Sequence, residues 1–200
     1  MPTTDPGTED VDPLVVHESA ADTDGEFVRF ELTLYPRGSS IERDADLAHD
    51  PWSIDVPTEH VHPLQEEHWS VRSGGLGVEY GGTEKLLTDG DSIELPTGVP
   101  HRIWNPIDEP SRVVLEFHPA LDAQALTETL YVLAQRGETN ENGHLKLLQF
   151  AVTQADYPDQ LYLTAVPVRV QKFLIRVLAP IGRRVGYRGT HPLDSLETED

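Results

Sequence analysis

HVHPLQEEHWSVRSG, residues 60–74, places three histidines and two adjacent carboxylates around a single proline. On an extended chain residues i and i+2 point to the same face, so His60 and His62 project together while Val61 points away. Two imidazoles side by side can chelate one ion. Pro63-Leu64-Gln65 then turns the chain into a second extended run, in which Glu67, Trp69 and Val71 share one face and Glu66, His68 and Ser70 the other. A core takes the face that carries Trp69 and Val71. Glu67 is therefore delivered inward beside the histidine pair, and Glu66 and His68 outward.

A second stretch, GDSIELPTGVPHRIWN (90–105), opens at the Asp89-Gly90 turn and runs through a short strand into the rigid loop Pro96-Thr97-Gly98-Val99-Pro100. It then sets His101, Ile103 and Asn105 on one face, which supplies a third inward histidine. A lone HxH is most often a pair of solvent-facing or satisfied histidines. Its union with Glu67 and with the second stretch points to a metal instead. Three neutral imidazoles and a carboxylate form a mixed N/O donor set suited to one divalent transition metal (Mn, Fe, Co, Ni, Cu or Zn) and less suited to Ca or Mg. A six-coordinate ion held by His60, His62, Glu67 and His101 keeps two positions open.

The surrounding pattern is that of a mainly β protein. Residues 26–35 (EFVRFELTLY) alternate, with Val28, Phe30, Leu32 and Leu34 on one face, and predict a strand. From 54 to 119 short β-prone runs are separated by Gly74-Gly75, Gly81-Gly82, Asp89-Gly90, the Pro96–Pro100 loop and the stretch from Pro106 to Pro110, as in an all-β sandwich or barrel. The period changes after Pro119. Residues 122–136 place Leu126, Leu130, Leu133 and Ala134 at helical spacing, with Asp122 as N-cap and Gly137 as stop. Further helices are expected over 145–154 and 168–178. Residues 1–24 are polar, acidic and poor in large apolar groups, which predicts a mobile tail, and 42–50 reads as an acidic surface loop.

The two motifs resemble the conserved pair of the cupin superfamily. His60-Val61-His62, Glu67 and Gly74 stand at the spacing of its first motif, and Gly90, Pro96, Gly98, His101 and Asn105 at that of its second. Ile54 stands where the first motif opens with glycine. The resemblance implies a cupin-type jelly-roll β-barrel over residues 25–120 with a C-terminal helical extension over 121–188; residues 189–200 are expected to form a mobile tail. It places one metal ion on His60, His62, Glu67 and His101. It further implies a metal-binding protein of small-molecule oxygenase type, an oxidoreductase acting on an oxygenated organic substrate, with Glu67 doubling as ligand and catalytic proton acceptor. A decarboxylase, an isomerase and a non-enzymatic module for binding or sensing a small ligand stay open. Glu116 and His118, on the strand that precedes Pro119, are the remaining candidates for a second base.

Composition narrows the partners. The chain of 200 residues carries 35 Asp+Glu against 15 Lys+Arg, a formal net charge of -20, and no cysteine. Such a surface repels phosphate backbones, so nucleic acid is not expected as a partner. A lysine-poor acidic chain reads as that of a halophilic protein, whose self-repulsion is screened by salt; an ordinary acidic cytoplasmic protein is the alternative. No signal-like or membrane-spanning run is present, which predicts a cytoplasmic location. The exception to the acidity is 168–188, with six bases and no acid. There Arg169, Lys172 and Arg176 oppose Val170, Phe173, Leu174 and Val177. Two readings compete: the apolar face packs on the barrel with the bases against the acidic body, or the helix lies on an anionic membrane surface. The first is preferred, so no membrane contact is expected; a homodimer is left open.

Overall fold

A computed structural model describes residues 13–36, 59–139 and 144–196. The acidic loop expected at 42–50 and the departure at Ile54 lie outside them. Among the described residues ten strands form two five-stranded antiparallel sheets. The first sheet has the order β1 (Leu14–Glu18), β2 (Val28–Leu34), β9 (Ser111–His118), β4 (Glu66–Ser73) and β7 (Ser92–Leu95). The second has β10 (Tyr162–Leu163), β3 (His60–Val61), β8 (His101–Trp104), β5 (Gly75–Tyr80) and β6 (Thr83–Thr88).

The alternation in β2 is that of a half-buried strand: Val28, Phe30, Leu32 and Leu34 are all buried. They join Trp69, Val71, Leu95, Val113, Leu115 and Phe117 of the same sheet and Leu76, Val78 and Ile103 of the other in one apolar core. This shared core holds the two sheets face to face. Gly74, the last residue of the first motif, turns β4 into β5 with φ +91°, and a Cβ there would lie 2.6 Å from the Ser111 hydroxyl. That hydroxyl instead accepts the Gly75 amide at 2.9 Å. The glycine is required by the turn and by this close approach.

Three departures from the sequence-based expectations concern the two ends of the described chain and the helical extension. From Leu14 the expected tail is a strand, β1, whose Leu14 is buried and pairs opposite Leu32. Composition misled here because one apolar face suffices when a neighbouring strand supplies the partner. At the other end, residues 189–196 do not form a tail either. A 3-10 turn, Leu193–Ser195, packs near the first helix, and the His191 amide donates to Thr129 Oγ1 at 3.0 Å.

The third departure is in the helices. α1 (Ala123–Gln135) and α2 (Leu147–Asp156) stand where periodicity predicts them, although Asp122 makes no side-chain capping bond. α3 (Val168–Arg184) is longer than expected and continues through Pro180. It packs mainly on α2 and touches the second sheet through its edge strand β10. The face it buries carries Gln171, Ala179 and Gly182. A Cβ on Gly182 would meet Val152 Cγ2 at 2.5 Å and the Leu148 carbonyl oxygen at 3.0 Å, so the small residue lets the two helices approach. The larger apolar side chains that were expected to pack inward are left outside.

Candidate metal centre

His60 and His101 are direct cross-strand partners of β3 and β8. His62 follows β3 immediately, and its carbonyl accepts the Gly98 amide at 2.9 Å, which ties the proline-rich loop to the histidine pair. Glu67 comes from the opposing sheet, where it stands between Leu95 and Phe117 in the β4 registers. All four side chains are buried, and each offers one ligand atom such that the atoms lie within 4.8 Å of one another. The imidazole centroids are 4.4 Å apart for His60 and His101, 5.1 Å for His60 and His62, and 5.6 Å for His62 and His101. The structure therefore brings together all four residues that the two motifs single out. Glu66 and His68 are half-buried on the opposite face, as the phase set by Trp69 requires.

The hydrogen bonds around the cluster fix its chemistry. His62 Nδ1 lies 2.6 Å from the Gln160 carbonyl and His101 Nδ1 lies 2.9 Å from the Val99 carbonyl. A carbonyl only accepts, so both Nδ1 atoms carry the proton, and in the neutral rings both Nε2 atoms present lone pairs. Those lone pairs face Glu67: His62 Nε2 is 2.9 Å from Oε1 and His101 Nε2 is 3.4 Å from Oε2. The one donor that the described hydrogen bonds give this carboxylate is the Trp69 indole N–H, at 2.7 Å from Oε2. His101 Nε2 is buried and makes no hydrogen bond. Acceptors thus face acceptors in a dry interior, an arrangement that needs a cation between them. Either a proton or a metal ion can serve, and three imidazoles with one carboxylate are a first-row metal's donor set.

The same balance appears in the protonation equilibria. Burial pushes the Glu67 carboxyl up, but attraction to His62 and His101 outweighs it and holds the group well below the usual carboxylate range. Burial pushes His101 down, yet the Glu67 carboxylate beside it wins and raises the imidazole above its ordinary value. In the metal-free chain a proton on His101 is the cation that the cluster draws in.

The other candidates lie elsewhere. Glu116 and His118 sit on the outer face of the first sheet, opposite His68 and Glu66 in the register. His118 Nε2 contacts Glu116 Oε2 at 2.8 Å and the His118 ring stacks on His68, while Arg29 Nε donates to Glu116 Oε1 at 2.7 Å. They do not reach the buried cluster. A separate cleft of about 560 Å³, lined by Arg136, Gln149, Arg188 and His191 among others, contains none of the four donors. Two contributors escape a reading of the sequence. Trp69 reads as a core aromatic, and its donor role follows only from its position two residues from Glu67 on the same face. The Gln160 carbonyl carries no side-chain signature at all.

Two facing antiparallel sheets that close a three-histidine, one-carboxylate cluster between them define the class of this domain. Residues 53–117, about a third of the chain, match the family described as Cupin domain, which places that segment in the cupin superfamily. No curated protein matches it. Among solved structures it is similar to KdgF from Halomonas sp., with 18% identity over 58% of this chain and 90% of that chain and a TM-score of 0.41. It is also similar to TT1209 from Thermus thermophilus, with 20% identity over 48% of this chain and 75% of that chain and a TM-score of 0.37. An uncharacterized conserved protein with a double-stranded beta-helix domain from Klebsiella pneumoniae subsp. pneumoniae shares 21% identity over 52% of this chain and 74% of that chain, with a TM-score of 0.38.

Proposed function

We propose that the two sheets form a jelly-roll barrel that holds one divalent transition-metal ion on His60, His62, Glu67 and His101, and that the protein acts on a small oxygenated organic molecule as an oxygenase-type enzyme. The observation that carries the metal is the set of lone pairs directed at the Glu67 carboxylate in a buried site. When bound, the metal supplies Lewis acidity toward a substrate oxygen or, if redox-active, a route to dioxygen chemistry. The residues of the chain do the positioning. The Gln160 and Val99 carbonyls hold the His62 and His101 rings in the tautomer that presents Nε2. Trp69 holds Glu67 in one rotamer. A carboxyl held below its usual range stays ionised and so serves as a ligand, and as a carboxylate it can also accept a proton from a substrate.

The outward placement of Glu116 and His118 favours a second reading. With those two groups on the far face of the sheet, none of the second-base candidates read from the sequence stands beside the four donors, which suits a module that binds a small ligand through its metal without transforming it. Elemental analysis of protein purified without tags or chelators tests the metal, with near-stoichiometric content expected. Oxygen uptake and product formation over phenolic, dicarbonyl and carboxylate compounds then separate the two readings. Turnover supports the oxygenase, while a metallated protein that binds a compound unchanged and consumes no oxygen supports the module.

A further inference from the structure

α3 has three faces. One packs on α2 and β10. The second carries Arg169, Lys172, Arg176 and Arg183. The third runs the whole length of the helix and leaves large apolar side chains in solvent: Val170 is 45% exposed, Phe173 64%, Leu174 40%, Val177 45%, Ile181 48% and Val185 63%. A continuous apolar stripe of this kind marks an interaction surface. Its charge setting identifies the partner. No acid stands between Asp159 and Asp194, although the chain has 35, and six bases stand in that interval. Lys172 pairs with Asp159 at 2.8 Å and Arg183 with Asp156, but Arg169, Arg176 and Arg184 have no ion-pair partner among the described residues.

We propose that α3 lays this stripe on an anionic lipid surface, with the unpaired arginines meeting lipid phosphates. Its 17 residues span about 25 Å of helix, and the exposed apolar side chains are spread along that length from Val170 to Ile181. A bilayer interface accepts such a face without shape complementarity, whereas a protein groove must match it. A second copy of the chain fits less well. An antiparallel two-fold contact between α3 helices sets equivalent flanks together, so the unpaired arginines of one copy would oppose those of the other. Attachment is to the surface only: among the described residues no helix is long and apolar enough to cross a membrane.

The test is sedimentation of the full chain at about 0.1 M salt, where exposed charges still act over about 10 Å, with vesicles of phosphatidylcholine alone and of phosphatidylcholine and phosphatidylglycerol in equal parts. Binding to the phosphatidylglycerol vesicles is expected, with little to the neutral ones. Phe173→Asp/Ile181→Asp should lower partitioning at least about tenfold with an unchanged circular dichroism spectrum and metal content, since both side chains are outside the packed face. Arg169→Glu/Arg176→Glu should weaken binding most at low salt. Phe173→Trp supplies an independent readout, a blue-shifted emission on adding the anionic vesicles. Absence of binding by the unmodified chain overturns the proposal, as does equal binding by the Phe173→Asp/Ile181→Asp variant. A concentration-dependent dimer that this variant abolishes, with no vesicle binding, assigns the stripe to a second copy instead.

Discussion

Glu67→Gln isolates the charge of the buried carboxylate from its shape. The amide keeps the volume of a side chain that is 3% exposed, and its oxygen can still accept the Trp69 N–H now found at 2.7 Å. Its NH2 group falls where Oε1 stands, 2.9 Å from His62 Nε2, and can donate to that lone pair. The variant should therefore fold, with the acceptor clash relieved by an amide instead of a cation. What it loses is the anionic ligand. Removing one partner from a buried charge arrangement costs about 3–5 kcal/mol, which at about 1.4 kcal/mol per factor of ten is a fall of roughly two to three and a half decades in metal affinity. Calorimetric titration of chelator-treated protein with Zn²⁺ or Mn²⁺ reads the affinity directly. Melting curves give a second readout: saturating metal at about 1,000 times Kd stabilises the native protein by about 4 kcal/mol, whereas the variant should show little metal-dependent rise. Wild-type affinity in Glu67→Gln refutes the reasoning. So does an equal loss in Glu66→Gln, whose side chain is 47% exposed on the other face.

Three further outcomes follow from the same geometry and from the charge. In metal-free protein, the stability owed to the raised His101 is complete below its ordinary pKa of 6.5 and is lost as pH rises through the folded value. That owed to the depressed Glu67 is complete above 4.5 and is lost as pH falls through its folded value, so chelated protein should melt highest between about pH 4.5 and 6.5. Added metal should remove the alkaline decline, and an unchanged profile would contradict the proton-for-metal exchange. Trp69→Phe deletes the donor to Glu67 Oε2 and should lower metal affinity about 10–100-fold with the fold retained, by the same titration. With a net charge of -20, the melting temperature should rise by several degrees from about 0.1 to about 2 M KCl; a flat response would leave the halophilic reading without support.

The site was legible because strand periodicity is strict. Once Trp69 and Val71 are assigned to the core, the parity of the chain sends Glu67 inward and Glu66 outward, and no tertiary information is needed. The same parity assigns Val28 to Leu34. Where burial depends on a partner distant in sequence, local reading loses its warrant. Leu14–Glu18 is too short and too acidic in its setting to declare itself, yet β2 gives it a ladder. α3 shows the converse. Its apolar periodicity predicts a helix correctly, and hydrophobicity then suggests that Phe173 and Leu174 are buried. The helix instead buries Ala179 and Gly182, whose small size permits the approach to α2, and Gln171, whose amide is fully used.

That use of Gln171 bears on how much of the chain the site requires. Its Oε1 accepts the Leu163 amide at 3.1 Å, and its Nε2 donates to the Leu163 and Val166 carbonyls at 2.7 and 2.5 Å. Leu163 is in turn the β-partner of His60, and Tyr162 that of Val61, while Thr164 donates its amide to the Glu59 carbonyl at 3.1 Å. The helical extension therefore supplies β3 with its second neighbour. Without β10, His60 would lie on a two-residue strand at a bare sheet edge, where backbone groups lose their partners to water. Gln160 completes the argument, because the carbonyl that sets the tautomer of His62 also comes from this segment. The matched family segment, residues 53–117, holds all four donors, but the extension beyond it directs one of them and borders another. The candidate metal centre is in this sense built by both parts of the chain, and a fragment ending at β9 keeps the four donors but loses the Gln160 carbonyl at His62 and the β10 neighbour of His60.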